Sequence, residues 1–294
     1  EAGYKPRRLL PTLGVVLKNR YNDFGYHYGD IGLDAHFNAV NTRADLFLED
    51  SRMTFGRFRF GISESVEPYE NYMDPEFQWK GSDFRSHWES AFANIRVDTF
   101  DDGYFPTKGF CFDVDAQYVF SGYSIYMDYK DAHTDPFEGK VKPYFVGTFN
   151  LSAVFPFGTG NIVVQPTLYG GWTSTESGQM NFAHALSAGG TLEGRYMDHQ
   201  IPFFGFSRGV HVYDDILGTA QIDLRYRFLY KNYVTARAGI LQNAVDVRQF
   251  FSNPATYAFG AEYARKTIIG PLVIGVNWCN QTGFGLSASF GFNF

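Results

Sequence analysis

Residues Gly109–Phe120 read GFCFDVDAQYVF. Phe110, Phe112, Val114, Ala116, Tyr118 and Phe120 alternate there with Cys111, Asp113, Asp115 and Gln117. Successive strand side chains point to opposite faces, so one face is apolar while the other carries carboxylates, a thiol and an amide. The same period extends in both directions along the chain. In QIDLRYRF, residues 221–228, Ile222, Leu224, Tyr226 and Phe228 oppose Asp223, Arg225 and Arg227. In FGLSASFGFNF, residues 284–294, Phe284, Leu286, Ala288, Phe290, Phe292 and Phe294 oppose small or polar residues. Segments 144–155, 162–173, 233–240 and 257–265 repeat the pattern with lapses.

Two all-β architectures fit such strands. A soluble sandwich turns the apolar faces inward, and a transmembrane barrel turns them toward lipid. Length separates the two. The alternating runs extend over about 9 to 15 residues, against ~5–6 for strands of soluble proteins and ~9–11 for a tilted membrane strand. Aromatic residues make up 19% of the chain, with 31 Phe and 20 Tyr, although the mean hydropathy is slightly negative. Aromatic girdles around a polar interior account for that combination. Backbone groups in hydrocarbon need partners, so a spanning sheet must close. The expectation is a closed antiparallel transmembrane β-barrel of the Gram-negative outer membrane, covering residues 12–294. Residues 1–11 are a periplasmic lead-in. The opening EAGYKPRRLLPT carries no signal-peptide pattern, so a processed or partial chain is expected.

Barrels of this kind place both ends in the periplasm and have an even strand number. Inner turns are expected at 101–109, 156–161, 230–232 and 269–271, and an outer loop at 246–254. Counted to the N-terminus, the pattern gives sixteen strands if weak ones lie near 71–80, 182–189 and 195–206. Fourteen is the alternative.

The sequence argues against several chemistries. Its two cysteines, Cys111 and Cys279, form neither a disulfide framework nor a zinc motif. The net charge of −6 is spread along the chain and does not suit a nucleic-acid partner. Asp101-Asp102 and Asp214-Asp215 read as turn formers, and calcium-loop spacing is absent. No metal, cofactor or catalytic residue is expected. Gly205-Phe206-Ser207-Arg208-Gly209 matches G-x-S-x-G. A nucleophile elbow needs a helix after the serine, whereas a loop and then a membrane strand follow here. Ser207 is therefore read as part of a glycine-rich bend. The interior positions Arg96, Asp98, Asp113, Asp115, Asp223, Arg225, Arg227 and Arg237 carry both signs. That mixture suits a cross-barrel ion-pair network better than an ion-selective ring of one sign.

Two motifs resemble a known family. In VDTFDDGYFPTKGFCFDVDAQ, Asp98 ends a strand, Asp101 lies in an acidic turn, and Phe105-Pro106-Thr107-Lys108-Gly109 opens the next strand. This resembles the inner-turn motif of the outer-membrane assembly and translocation barrels, the bacterial surface-antigen superfamily. SAGGTLEGRYMDHQIPFFGF, followed by IDLRYRFLYKNYVTARAG, is similar to that superfamily's sixth outer loop and the arginine-bearing strand after it. The pairing of Gln200-Ile201-Pro202-Phe203-Phe204-Gly205 with RYRFLYKNYVTA resembles most the barrels of patatin-like autotransporters. The resemblance covers residues 86–294.

It implies a barrel that anchors, and helps to export, an N-terminal patatin-like lipase domain. The serine–aspartate dyad would then lie upstream of this chain. The superfamily's loop carries Arg-Gly before an aromatic residue, and its arginine reaches into the lumen. Here the order is inverted, as Gly194-Arg195-Tyr196, with Arg208-Gly209 as the second candidate. Phe290, Phe292 and Phe294 resemble the terminal signal read by the barrel-insertion machinery. Implied partners are outer-membrane lipids and lipopolysaccharide, that machinery, and an N-terminal passenger or periplasmic domain. The rival readings are the barrel of an insertase or translocase, and a passive diffusion channel.

Overall fold

The computed structural model describes residues 11–28, 33–50, 56–73, 84–126, 137–174, 186–190, 199–206 and 210–291. They form β1 (Thr12–Tyr28), β2 (Leu33–Asp50), β3 (Gly56–Met73), β4 (Phe84–Asp98), β5 (Gly109–Tyr126), β6 (Phe137–Lys140), β7 (Tyr144–Phe157) and β8 (Ile162–Thr173). β9 (Leu186–Gly189), β10 (Gln200–Ile201), β11 (Val210–Asp214), β12 (Ile216–Phe228), β13 (Asn232–Ala244), β14 (Thr256–Thr267), β15 (Gly270–Cys279) and β16 (Gly283–Phe290) follow. All belong to one sheet. A sandwich of two sheets is therefore excluded.

Twelve strands are long, from 8 residues in β16 to 18 in β2, β3 and β5. They pair antiparallel with their neighbours in the order β1-β2-β3-β4-β5-β7-β8-β12-β13-β14-β15-β16. The other four are pieces of 2 to 5 residues. The sheet thus counts sixteen strands, of which twelve are long among the described residues, so that neither sixteen nor fourteen crossings is confirmed. Of the expected weak strands, 182–189 contributes only β9 and 195–206 only β10. Both are wholly buried, because this part of the chain packs inside the sheet and does not cross with it. The segment 71–80 contributes the end of β3, and residues 74–83 lie outside the described residues.

The turns fall close to their expected places. Ile268–Ile269, Leu229–Lys231, Gly158–Asn161 and Thr99–Lys108 connect strands at one rim, and Val245–Ala255 connects β13 to β14 at the other. The start of β1 and the end of β16 both lie at the short-turn rim, since Thr12 pairs with Glu49 and the Gly291 amide donates to the Pro271 carbonyl.

Burial is inverted relative to a soluble domain. Leu151, Leu168, Ile222, Leu224, Tyr226 and Ile274 are exposed, whereas Ser90, Gln117, Ser152, Thr167, Asp223, Arg225 and Asn277 are buried. Monomeric soluble proteins rarely expose an apolar belt of this extent. A sheet with lipid outside and a polar interior does. The two terminal strands stand apart. Leu17 on β1 is 78% exposed and Phe284 on β16 84%, against 42% for Leu151 in the middle of the sheet. β16 has only β15 as a neighbour, β1 has besides β2 only the short parallel bridge of Tyr26 to Val210 of β11, and among the described residues no ladder joins β1 to β16.

If the belt meets hydrocarbon, Leu224→Arg will cost about 2–4 kcal/mol, as for a cation placed near mid-depth. Ala236→Ser on the same face will cost far less. Equilibrium unfolding from phospholipid vesicles measures both.

Candidate functional site: the capped interior

The interior wall comes from one parity of every strand, and its charges meet across strand boundaries. Arg96 pairs with Asp98 at 3.2 Å and with Asp113 at 3.4 Å, and Asn94 donates to Asp113 at 2.8 Å. Arg237 bridges Asp223 at 3.2 Å and Glu262 at 2.6 Å. Arg225 donates to Gln165 Oε1 at 3.4 Å and to the Pro106 carbonyl. Arg227 donates to Asn161 Oδ1 at 3.0 Å. Asp115 lies on the same face, opposite Asn94 and Thr148. The half-exposed pairs of Arg96 stabilise little, whereas removing one partner from the more buried Arg237 pairs leaves the other charge stranded at a cost of up to about 3–5 kcal/mol.

Two segments cap this interior. The first is the connection Thr99–Lys108 at the short-turn rim. It is internally braced. Asp101 accepts from the Thr107 amide at 2.8 Å, the Thr107 hydroxyl at 2.5 Å and the Lys108 amide at 3.2 Å. Asp102 accepts from the Tyr104 and Phe105 amides at 2.9 and 3.1 Å. The segment then reaches the opposite wall. Lys266 of β14 pairs with Asp102. Phe105 stacks on Tyr233 of β13 with ring centroids 4.1 Å apart. The Arg225 guanidinium lies 5.9 Å from the Phe105 ring centroid. Gly109 closes the segment at φ +106°, where a Cβ would meet the Thr99 carbonyl, so only glycine fits. All six inner-turn motif positions, Asp98, Asp101, Phe105, Pro106, Thr107 and Gly109, thus belong to one structural unit.

Partial burial opposes ionisation of Asp101, but the Thr107 hydroxyl and the two amides outweigh it and hold the carboxyl below its usual range. For Asp102, burial is likewise outweighed, here by Lys266 and the Tyr104 and Phe105 amides.

The second cap is the stretch 199–206, HQIPFFGF, with β9. Pro202, Phe203, Phe204, Gly205 and Phe206 are all buried. The Gly190 amide donates to the Phe206 carbonyl at 2.7 Å, and the Phe203 amide to the Gly190 carbonyl at 3.0 Å. The Gly205 carbonyl accepts from Asn277 at 3.2 Å and Thr282 at 3.1 Å. His199 Nε2 lies 3.0 Å from Gln117 Oε1 on β5. The Phe204 ring rests on glycines: a Cβ at Gly239 would lie 2.8 Å from it, and one at Gly260 3.2 Å. Arg237 stands 5.8 Å from the Phe204 ring centroid. A chamber of about 480 Å³ remains between the caps, bounded by Phe100 and Gly103 of the first and by Pro202 and Phe204 of the second.

Arg195, Ser207, Arg208, Phe292 and Phe294 lie outside the described residues. Phe290 is exposed on β16, opposite Leu272. Sequence reading missed Glu262, Lys266, Tyr233, Gln117 and His199. Glu262 and Lys266 carry a signal, since in YAFGAEYARK they share the parity opposite Tyr257, Phe259 and Tyr263. The reach of Asp102 to Lys266, 164 residues away, leaves no trace in local pattern. Among the described residues no three His, Cys, Asp or Glu side chains converge as a metal site.

Gly239→Leu will overfill the contact with Phe204 and destabilise the fold by about 1–3 kcal/mol, read as a lower urea midpoint in detergent. Asp101→Asn will cost roughly 1 kcal/mol at neutral pH. A carboxyl lowered in the folded state contributes its stability above the unfolded value of ~4 and loses it as pH falls through the folded value. The difference between native and Asp101→Asn unfolding temperatures will hold from pH 8 to about 5 and shrink below about 4.

The OMP85 superfamily model matches residues 71–294. Among solved structures, the chain is similar to BamA from Haemophilus ducreyi lacking POTRA domains 1–3, with a TM-score of 0.59 and 14% identity over 94% of this chain. It spans 57% of that BamA chain. The β-domain of the Bordetella autotransporter BrkA matches at a TM-score of 0.39 and 12% identity, covering 94% of this chain and 96% of the other. The translocator domain of the autotransporter NalP from Neisseria meningitidis matches at 0.36 and 11%, covering 92% and 84%. No curated protein matches the sequence significantly. The family match covers most of the chain and includes both caps, and the BamA likeness agrees with it in fold: the chain belongs to the OMP85 superfamily.

Proposed function

We propose that this chain is the C-terminal outer-membrane barrel of a longer Gram-negative polypeptide, closed between β1 and β16. It anchors and helps to export an N-terminal patatin-like lipase domain. The short-turn rim faces the periplasm, and residues 1–11 lead in from that side. Phe290, Phe292 and Phe294 serve as the signal for the insertion machinery. Arg195, or failing it Arg208, is the loop arginine that reaches the interior. Phospholipid and lipopolysaccharide surround the belt. No catalytic role is assigned to the chain, to Ser207 included.

The observation that carries this reading is the doubly capped interior. A passive diffusion channel needs a continuous wet path. Here Phe203 and Phe204 fill one end and Phe105 crosses the other. The patatin-like assignment rests on Gln200–Gly205 and RYRFLYKNYVTA. A second reading, the barrel of an insertase or translocase that opens between its first and last strands, is favoured by the lack, among the described residues, of a ladder between β1 and β16.

The test is the intact mass of the native polypeptide from outer membranes. The proposal expects roughly 30–50 kDa beyond this chain, enough for one or two domains, and fluorophosphonate labelling confined to the added part. Periplasmic repeats in place of a hydrolase would favour the second reading. A native mass of 33.4 kDa would remove the anchor reading.

A further inference from the structure

We infer that Asp101–Lys108 is a hinged gate at the short-turn rim, which controls entry of water and small solutes to the chamber. The inference goes beyond the anchoring role and holds with or without a passenger domain.

Connection length is the first observation. Two residues suffice to join neighbouring antiparallel strands, and Ile268–Ile269 does so at this same rim. The β4–β5 connection takes the ten residues Thr99–Lys108. Ten residues reach at most about 35 Å extended, more than joining two adjacent strands demands. The surplus is spent crossing the mouth. Its partners Arg225, Tyr233 and Lys266 lie on β12, β13 and β14, and sheet order from β5 runs β7, β8, β12, β13, β14.

The second observation is how the cohesion is distributed. Within the segment, the Asp101 and Asp102 carboxylates gather four backbone amides and one hydroxyl. That unit keeps its shape wherever it sits. Its hold on the far wall combines one ion pair, guanidinium contacts of Arg225 with the Pro106 carbonyl and the Phe105 ring, and a small apolar cluster in which Phe105 and Tyr104 pack on Tyr233, Ala264 and Val273. The ion pair is partly in solvent, with Lys266 47% and Asp102 27% exposed, so salt screens it. At the root, Thr99 and Phe110 exchange hydrogen bonds beside Gly109. A braced flap, a root beside a glycine and a small far latch with an ion pair open to solvent together make a gate. The other cap is held more deeply, with Phe203, Phe204 and Phe206 all buried against the wall.

The chamber supplies its own reporter. The Cys111 thiol lines it and is 6% exposed. Neither Cys111 nor Cys279 is in a disulfide. In the full chain folded in detergent, with Cys279→Ser to leave one thiol, the rate of Cys111 modification by a cationic, membrane-impermeant methanethiosulfonate reads the gate. Asp102→Asn combined with Tyr233→Ala is expected to raise the rate at least 10-fold while the folded electrophoretic mobility is kept. Raising NaCl from 0.05 to 1 M is expected to speed the Cys279→Ser protein, and to leave the same protein carrying Lys266→Gln unchanged. If the double variant does not fold, the salt comparison decides alone. Equal rates in closed and released forms would overturn the proposal. So would a closed-form rate as fast as that of urea-unfolded protein.

Discussion

A backbone amide that faces hydrocarbon has no water to turn to, and its partner must come from the same sheet. Much of this structure follows from that constraint. The chain is long alternating strand wherever the outer face is apolar. Because the outer face takes the apolar parity, the inner face takes the charges, and those charges need solvent or one another. Arg96 with Asp98 and Asp113, and Arg237 with Asp223 and Glu262, are the local answers. A polar interior walled by twelve long strands also leaves space, and the segments 99–108 and 199–206 occupy part of it.

What was legible in the sequence divides along the same line. The strand interiors were readable because a period of two records which side of the sheet a residue faces. GFCFDVDAQYVF and QIDLRYRF place their residues on the faces the pattern assigns. Turns were readable to within a residue or two, because Gly158–Asn161 and Leu229–Lys231 interrupt that period. The long connections were not. HQIPFFGF reads as apolar and extended, which is why a weak membrane strand was expected at 195–206. Its burial depends on Gly239 and Gly260, some 35 to 55 residues downstream, leaving a trough for the Phe204 ring. Nothing in the octapeptide announces those glycines. The ends of the long-strand series are equally hard to read locally: β1 and β16 have the same alternation as their neighbours, and the high exposure of Leu17 and Phe284 sets them apart.

The two caps solve one problem with opposite chemistry. The stretch 199–206 seats Phe203 and Phe204 against Gly239 and Phe204 against Gly260, with Phe206 edge-on to Phe203, and offers the Gly205 carbonyl to Asn277 and Thr282. Apolar packing holds it together with the His199–Gln117 and Gly205 hydrogen bonds, and packing responds only weakly to moderate salt. The connection 99–108 spends its hydrogen bonds on itself and meets the wall through a guanidinium, an ammonium and one stacked ring. Charges at a solvent-facing rim respond to ionic strength, and carboxylates to acid. One end of the interior is therefore closed by packing that resists solution conditions, and the other by contacts that follow them. Traffic into the chamber is then governed from the short-turn rim.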